Sequence, residues 1–265
     1  MSGNGYARSE WTPLKVEHHE AIVSMHLGVV AAVLKRHEWA DGTYRYFDLT
    51  AGPGRGPDGE PQSPLQFVRA AARAGIDWRA VFVERSPETY RRLNESLPTS
   101  WPCVRVVQGD SRDLLTGLLV QELPRARPNY YGLVYFDPVP GVEMFEVIGR
   151  LGEAFRSLRQ LARVDVLMYV SATTIKRLRE CCGQTLRGLL AGLGKRHWFA
   201  RDTYDSRHQW TFLLGTNWPD MKEYGRIRLF SIDREPGATL FDRLDLTDAE
   251  RKEKAVAVLP FPEPA

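Results

Sequence analysis

The stretch around which the chain is organised lies between residues 46 and 56 and reads Tyr46-Phe47-Asp48-Leu49-Thr50-Ala51-Gly52-Pro53-Gly54-Arg55-Gly56. An apolar and aromatic run ends in an acidic residue and passes into a loop with three glycines in five positions. Glycine lets a backbone approach a ligand closely or take a positive φ at a turn. The pattern predicts a buried strand whose carboxyl end faces a ligand, and the alternative is a glycine-rich turn after any α/β strand. The Gly-x-Gly-x-Gly spacing departs from the dinucleotide fingerprint, which favours a nucleoside cofactor.

The segment Asp48-Leu49-Thr50-Ala51-Gly52-Pro53-Gly54 resembles the first motif of class I S-adenosylmethionine-dependent methyltransferases, in the D-x-x-A-G-x-G form of enzymes that modify amino groups of nucleobases. The resemblance implies an α/β, Rossmann-like fold with a mostly parallel seven-stranded sheet, a C-terminal antiparallel hairpin and helices on both faces. It also implies S-adenosylmethionine as cofactor, bound in part by Asp48, Ala51, Gly52 and Gly54.

Two later acidic residues follow predicted strands and extend the expected cofactor site. Glu84 ends the strand at residues 79–84, where a carboxylate can accept hydrogen bonds from two ribose hydroxyls; a solvated strand-end glutamate is the alternative. Asp110 follows the strand at residues 104–107 and resembles the family's acid that binds the exocyclic amine of adenine. Asp110 can equally cap the helix predicted from residue 111 to residue 121.

The fourth strand carries the catalytic candidate, in the segment Tyr131-Gly132-Leu133-Val134-Tyr135-Phe136-Asp137-Pro138-Val139-Pro140-Gly141. This segment resembles the D-P-P-Y motif of amino methyltransferases, and the Asp-Pro followed by glycine also resembles the three-Cys-motif partner protein family. The resemblance implies that Asp137 and the Pro138 carbonyl orient the target amine and that Phe136 contacts the cofactor. Pro140 stands where the family has a base-stacking aromatic residue. The candidates to supply the missing aromatic ring are Phe145, Tyr135 or Tyr204, and the sequence alone does not choose between them.

The rest of the sequence predicts the other helices and strands of this fold. Residues 17–37 predict a helix, residues 65–75 a helix with Ser63 as N-cap, residues 145–161 and 174–193 two further helices, and residues 164–170 a fifth strand. Two apolar runs near residues 196–200 and 209–217 predict the hairpin. Tyr204 and Arg207 lie between them and suit base stacking and phosphate contact, the alternative being a solvated connection.

Composition bounds the protein further. The 265 residues are enough for one catalytic domain, predicted at residues 40–218, with an N-terminal helical lead-in at 1–39 and a C-terminal appendage at 219–265. The net charge of +3 permits nucleic-acid binding without requiring it. The absence of a long apolar run or a signal-peptide pattern predicts a cytoplasmic protein without a membrane span. Three cysteines, with no C-x-x-C pair, predict reduced thiols and no metal site, and the N-terminal histidines are expected to be solvated or capping.

These features predict an S-adenosylmethionine-dependent N-methyltransferase that modifies an exocyclic amine, adenine N6, of RNA or DNA. A protein partner is also compatible with the C-terminal region. The alternative is a catalytically inactive cofactor-binding or partner module of a mobile-element or defence system, which the residue at position 140 favours. A different nucleotide-dependent enzyme is disfavoured because no P-loop lysine follows the glycines.

Overall fold

A single eight-stranded sheet forms the centre of the molecule. The computed structural model describes residues 12–36, 42–97, 101–123, 130–137, 142–203, 210–219 and 222–257. The strands are β1 (Thr43–Asp48), β2 (Asp77–Glu84), β3 (Val104–Gln108), β4 (Tyr131–Phe136), β5 (Val164–Ser171), β6 (His197–Arg201), β7 (Trp210–Thr216) and β8 (Leu229–Ser231). The helices are α1 (Thr12–Arg36), α2 (Ser63–Ala74), α3 (Pro87–Ser96), α4 (Ser111–Glu122), α5 (Val142–Ser157), α6 (Ala172–Cys182), α7 (Leu186–Gly192), α8 (Lys222–Arg226), α9 (Gly237–Asp245) and α10 (Asp248–Ala257), with a 3-10 helix at Arg159–Arg163.

The strand order is β3-β2-β1-β4-β5-β7-β6-β8. The first five strands in this order are parallel, and β7, β6 and β8 are joined to them and to each other by antiparallel pairings. The chain moves outward from β1 to β3 and then returns to place β4 on the other side of β1. This reversal of strand order lies at the carboxyl ends of β1 and β4, the place where open α/β sheets bind their ligands.

Apolar side chains cover both faces of the sheet. One core cluster unites the sheet with α4, α5, α6, α7 and α9, and the other unites it with α1, α2, α3 and α8. β4 is buried along its whole length, as expected for a strand covered on both faces. The predicted arrangement of a mostly parallel sheet, a terminal hairpin and helices on both faces is therefore confirmed.

Several boundaries differ from the sequence prediction. β8 pairs with β6 and adds an eighth strand to the seven expected. The single helix predicted over residues 174–193 is two helices, because Gly183 takes a left-handed φ of 62° and Thr185 then caps α7. Ser63 is the first residue of α2 and not its N-cap, which is Gln62. Thr247 and Glu250 form a capping box at the start of α10.

The histidines of α1 are neither solvated nor capping. His18, His19 and His26 are all buried, and each finds a polar partner from another element. His26 contacts the hydroxyl of Tyr44 at 2.7 Å and the carboxylate of Asp165 at 3.0 Å. Burial lowers the pKa of both His18 and His19 to about 4. These residues anchor α1 to the sheet.

Within the described part of the chain, no helix has both the length and the apolar character that crossing a membrane requires.

Candidate functional site

The glycine loop begins where β1 ends and is fixed to both neighbouring strands. The Leu49 N–H donates to the Tyr135 carbonyl at 2.9 Å, and the Ala51 N–H donates to the Val83 carbonyl at 3.0 Å. Gly52 and Gly54 have φ values of 66° and 77°, which explains the requirement for glycine. A Cβ built on Gly52 meets no atom of the described residues within 4 Å, so the loop borders open space at this point.

Asp48 lies beneath this loop with its side chain fully buried. Its two carboxylate oxygens accept from the Thr50 N–H at 3.1 Å and from the Ser63 hydroxyl at 2.6 Å. Burial is the main reason why the pKa of Asp48 rises to about 7; the two hydrogen bonds lower this pKa, and the charges of Asp137 and Glu84 raise it. Asp48 therefore fixes the turn from beneath.

Glu84, at the end of β2, accepts hydrogen bonds from the same loop and from the start of α3. One oxygen accepts from the Gly52 N–H at 3.0 Å and the other from the Ser86 N–H at 2.8 Å. The side chain is buried rather than solvated. A carboxylate has about four acceptor positions, so these two bonds leave acceptor capacity for a ligand.

Asp110, beyond β3, is the N-cap of α4. Its carboxylate accepts from the backbone N–H of Arg112 and from the Arg112 guanidinium at 2.9 and 2.6 Å. The Arg112 hydrogen bond is the main reason why the pKa of Asp110 falls to about 2. Arg112 also reaches Glu146 of α5 at 2.8 Å. The capping alternative is thus observed, and the predicted contact with adenine remains a prediction.

Asp137 follows β4 directly and meets the glycine loop through Thr50. Its backbone N–H donates to the Thr50 hydroxyl at 2.8 Å, and the backbone N–H of Thr50 in turn donates to Asp48. The carboxylates that end β1 and β4 are therefore linked through one residue. The sequence correctly predicted that Asp48, Glu84 and Asp137 stand at neighbouring strand ends.

The structure adds two residues that sequence reasoning missed. Lys15 of α1 forms an ion pair with Asp137, and its ammonium lies 4.1 Å from the centroid of the Tyr169 ring. Tyr169 is half-buried on β5, and burial and the Asp137 charge raise its pKa to about 12. Lys15 lies before the helix predicted over residues 17–37, and its partner is 122 residues away in the sequence, so no local pattern indicates this ion pair.

Aromatic side chains near the fourth strand are distributed differently from the expectation. Phe136 is fully buried in the core cluster that includes helix α5. Tyr135 is also buried, with its ring 4.4 Å from that of His19, so it cannot stack on an incoming base without rearrangement. Phe145 is half-buried against the same core cluster as Phe136. The other predicted substrate and catalytic residues, Pro138, Pro140, Tyr204 and Arg207, lie outside the described residues.

The site combines acidic side chains with a backbone turn. Three carboxylates stand at adjacent strand ends beside a glycine turn that borders open space. Among the residues that the structure describes, no group of three or more His, Cys, Asp or Glu side chains is placed to hold a metal ion.

Solved structures share this architecture. Human methyltransferase-like protein 13 in complex with SAH matches with a TM-score of 0.50 and 15% identity, over 94% of this chain and 95% of that chain. Protein LPL1258 from Legionella pneumophila, assigned to DUF519, also has a TM-score of 0.50 and 15% identity, over 86% of this chain and 94% of that chain. No protein-family model and no curated protein matches the chain. The chain therefore has the Rossmann-like fold of class I methyltransferases.

Proposed function

We propose that the protein is an S-adenosylmethionine-dependent methyltransferase that acts on an exocyclic amine of a nucleic acid, with adenine N6 as the target. The observation that carries the proposal is the convergence of Asp48, Glu84 and Asp137 on one glycine turn, with Thr50 linking the first and last. The SAH complex of human methyltransferase-like protein 13, which has the same fold, supports the choice of cofactor.

The residues around the turn fit this cofactor. The open space beside Gly52 admits a ligand close to the backbone. Glu84 retains acceptor positions for ribose hydroxyls, and Asp110 would accept from the adenine amine with the acceptor positions that Arg112 leaves. Asp48 supports the turn from below and does not need to touch the ligand.

Asp137 would receive the acceptor amine. When bound, the cofactor supplies a methyl group on a cationic sulfur, and transfer to nitrogen breaks the S–C bond as the N–C bond forms. Asp137 accepts a hydrogen bond from the amine, holds its lone pair in line and takes up the released proton, which passes to water because this side chain is 26% exposed. The Pro138 carbonyl is proposed as a second acceptor. Positioning supplies most of the rate in such a mechanism.

Tyr169 would supply the ring that the sequence lacks at position 140. Its half-buried side chain lies on β5, the strand next to β4, and the charge of Asp137 helps to raise its pKa. A flipped base needs an aromatic surface beside the residue that orients its amine. Phe145, Tyr204 and Arg207 remain proposed substrate contacts.

Two measurements test the proposal. Calorimetric titration with S-adenosylhomocysteine is expected to show binding to the wild type that Glu84→Ala and Asp110→Ala weaken. Transfer of labelled methyl groups to adenine-containing RNA and DNA oligonucleotides is expected for the wild type and not for Asp137→Ala. This variant should keep its affinity for the neutral S-adenosylhomocysteine within about threefold, because it removes no proposed contact with that ligand. Asp113→Ala serves as the matched control, since this carboxylate of α4 is exposed and, among the described residues, pairs with Arg150 at 3.9 Å.

The outcomes separate the alternatives. A folded wild type that does not bind S-adenosylhomocysteine contradicts the cofactor and with it the function. Binding without transfer to any nucleic acid favours the non-catalytic module. Full transfer by Asp137→Ala refutes the assigned role of this residue.

A further inference from the structure

Lys15 occupies the position that the proposed function reserves for the acceptor amine. Its ammonium contacts Oδ2 of Asp137 and lies over the ring of Tyr169. An acceptor amine oriented by Asp137 against an aromatic ring would use the same two groups. Lys15 comes from α1, which is held to the sheet by buried histidines, so the contact is built into the fold.

The charge of Lys15 matters because the donor and the product of the proposed reaction differ by one charge. The sulfonium of S-adenosylmethionine is cationic, whereas the thioether of S-adenosylhomocysteine is neutral. The local carboxylates attract a cation, but Asp137 is already paired with Lys15, and the raised pKa of Asp48 reduces its charge near neutral pH. A lysine ammonium at this place therefore opposes the binding of the donor and has little effect on the product.

We propose that Lys15 blocks the acceptor position by pairing with Asp137, and that its charge makes the site bind the cationic donor more weakly relative to the neutral product. This inference rests on the proposed function. Linkage between the two charges is reciprocal: if Lys15 weakens donor binding, the donor weakens the hold of Lys15 on Asp137 to the same extent. The ion pair between Lys15 and Asp137 is therefore weaker when the donor is bound, which makes Asp137 more available to the acceptor amine. When the product is bound, the ion pair keeps its full strength.

The first test compares affinities for the two ligands. Lys15→Met removes the charge, and loss of a unit charge close to a bound cation should change the affinity for that cation by roughly fivefold or more, even with the screening typical of a partly exposed site. The affinity for S-adenosylmethionine relative to S-adenosylhomocysteine is therefore expected to rise by this factor. Lys15→Gln should give the same change, and Lys15→Arg should keep the wild-type ratio. Lys35→Met, an exposed lysine in the last turn of the same helix, is the matched control.

The second test follows Lys15 directly. The protein is acylated with an amine-reactive ester in the presence of either ligand, and the modified peptide is quantified by mass spectrometry with Lys35 as internal reference. S-adenosylmethionine should increase the labelling of Lys15 severalfold over S-adenosylhomocysteine, because only the cationic ligand loosens the ion pair.

An affinity ratio that stays within about twofold of the wild type in both Lys15→Met and Lys15→Gln overturns the proposal. Equal labelling of Lys15 under the two ligands overturns it as well. If the wild type binds neither ligand, the proposed function fails instead, so the two failures are distinguishable.

Discussion

Replacement of Asp48 by asparagine should change how the stability of the protein depends on pH. Asparagine has the same shape, accepts the Thr50 N–H through its oxygen and can donate to the Ser63 hydroxyl, which rotates to accept. The variant therefore keeps the hydrogen bonds of a fully buried position and loses only the ability to ionise.

The magnitude follows from the pKa. In the folded protein the pKa of Asp48 is about 7, against 3.8 for the ordinary side chain. The folded value is the higher one, so the proton-linked stability is fully present below about pH 4 and is lost as the pH rises through about 7. The difference of about three units corresponds to roughly 4 kcal/mol in total, of which roughly 2 to 3 kcal/mol is lost between about pH 5 and pH 8.

The assay is urea unfolding of the ligand-free wild type and of Asp48→Asn near pH 5 and near pH 8. The variant should gain roughly 2 to 3 kcal/mol relative to the wild type between these conditions. Contributions of His18 and His19, whose lowered pKa makes stability fall as the pH drops below about 6.5, are common to both proteins and cancel. A relative stability that stays the same within about 0.5 kcal/mol would refute the assignment of a raised pKa to Asp48.

Asp110→Asn is the control for this experiment. The pKa of Asp110 is lowered to about 2, so its carboxylate is ionised in both the folded and the unfolded protein above about pH 5. The stability of this variant relative to the wild type should not change between about pH 5 and pH 8. A change like that of Asp48→Asn would point to a general effect of charge and not to burial.

Two further substitutions test the packing that positions the site. Gly132→Ala should prevent folding or cost more than about 3 kcal/mol, because its Cβ would lie 1.9 Å from the Arg45 carbonyl oxygen on the neighbouring strand. Its control is Gly117→Ala on α4, whose Cβ would meet no described atom within 4 Å and which should be neutral or stabilising by up to about 1 kcal/mol. Equal urea midpoints for the two variants would contradict this prediction. Phe67→Ala should lower the free energy of unfolding by about 3 to 5 kcal/mol, since this buried ring stacks on Tyr46 with 3.9 Å between the ring centroids. Phe67→Leu should lose less than half as much stability. A loss below about 1 kcal/mol for the alanine variant would show that the stacked pair does not contribute to the core.

The strand ends were predictable because their signals are local. Asp48, Glu84, Asp110 and Asp137 each follow an apolar run that is long enough for a strand, and all four lie where a parallel sheet brings its carboxyl ends together. The break between α6 and α7 also had a local signal in Gly183. Because the helical pattern continues on both sides of Gly183, it predicts one continuous helix in place of α6 and α7.

The contacts of α1 were not predictable for a physical reason. Its polar residues find partners that are distant in sequence, such as Gln66 for His19, Arg201 for His18 and Asp137 for Lys15. A helical pattern shows which face is apolar, but it does not show which polar side chains the tertiary fold will satisfy by burial. The burial of these histidines and the ion pair of Lys15 with Asp137 arise only once α1 is packed on the sheet.

The strand β8 has a consequence for shortened versions of the protein. It gives backbone partners to residues 199–201 at the outer border of the sheet, and the carbonyls of Phe230 and Ser231 come so close to Gly237 that no larger residue fits there. A chain cut after residue 218, at the expected end of the catalytic domain, would leave β6 as a bare border strand. Such a strand recruits other chains. By pairing with β6, the C-terminal strand should limit association through this edge, and a protein shortened at residue 218 should associate more readily than the full chain.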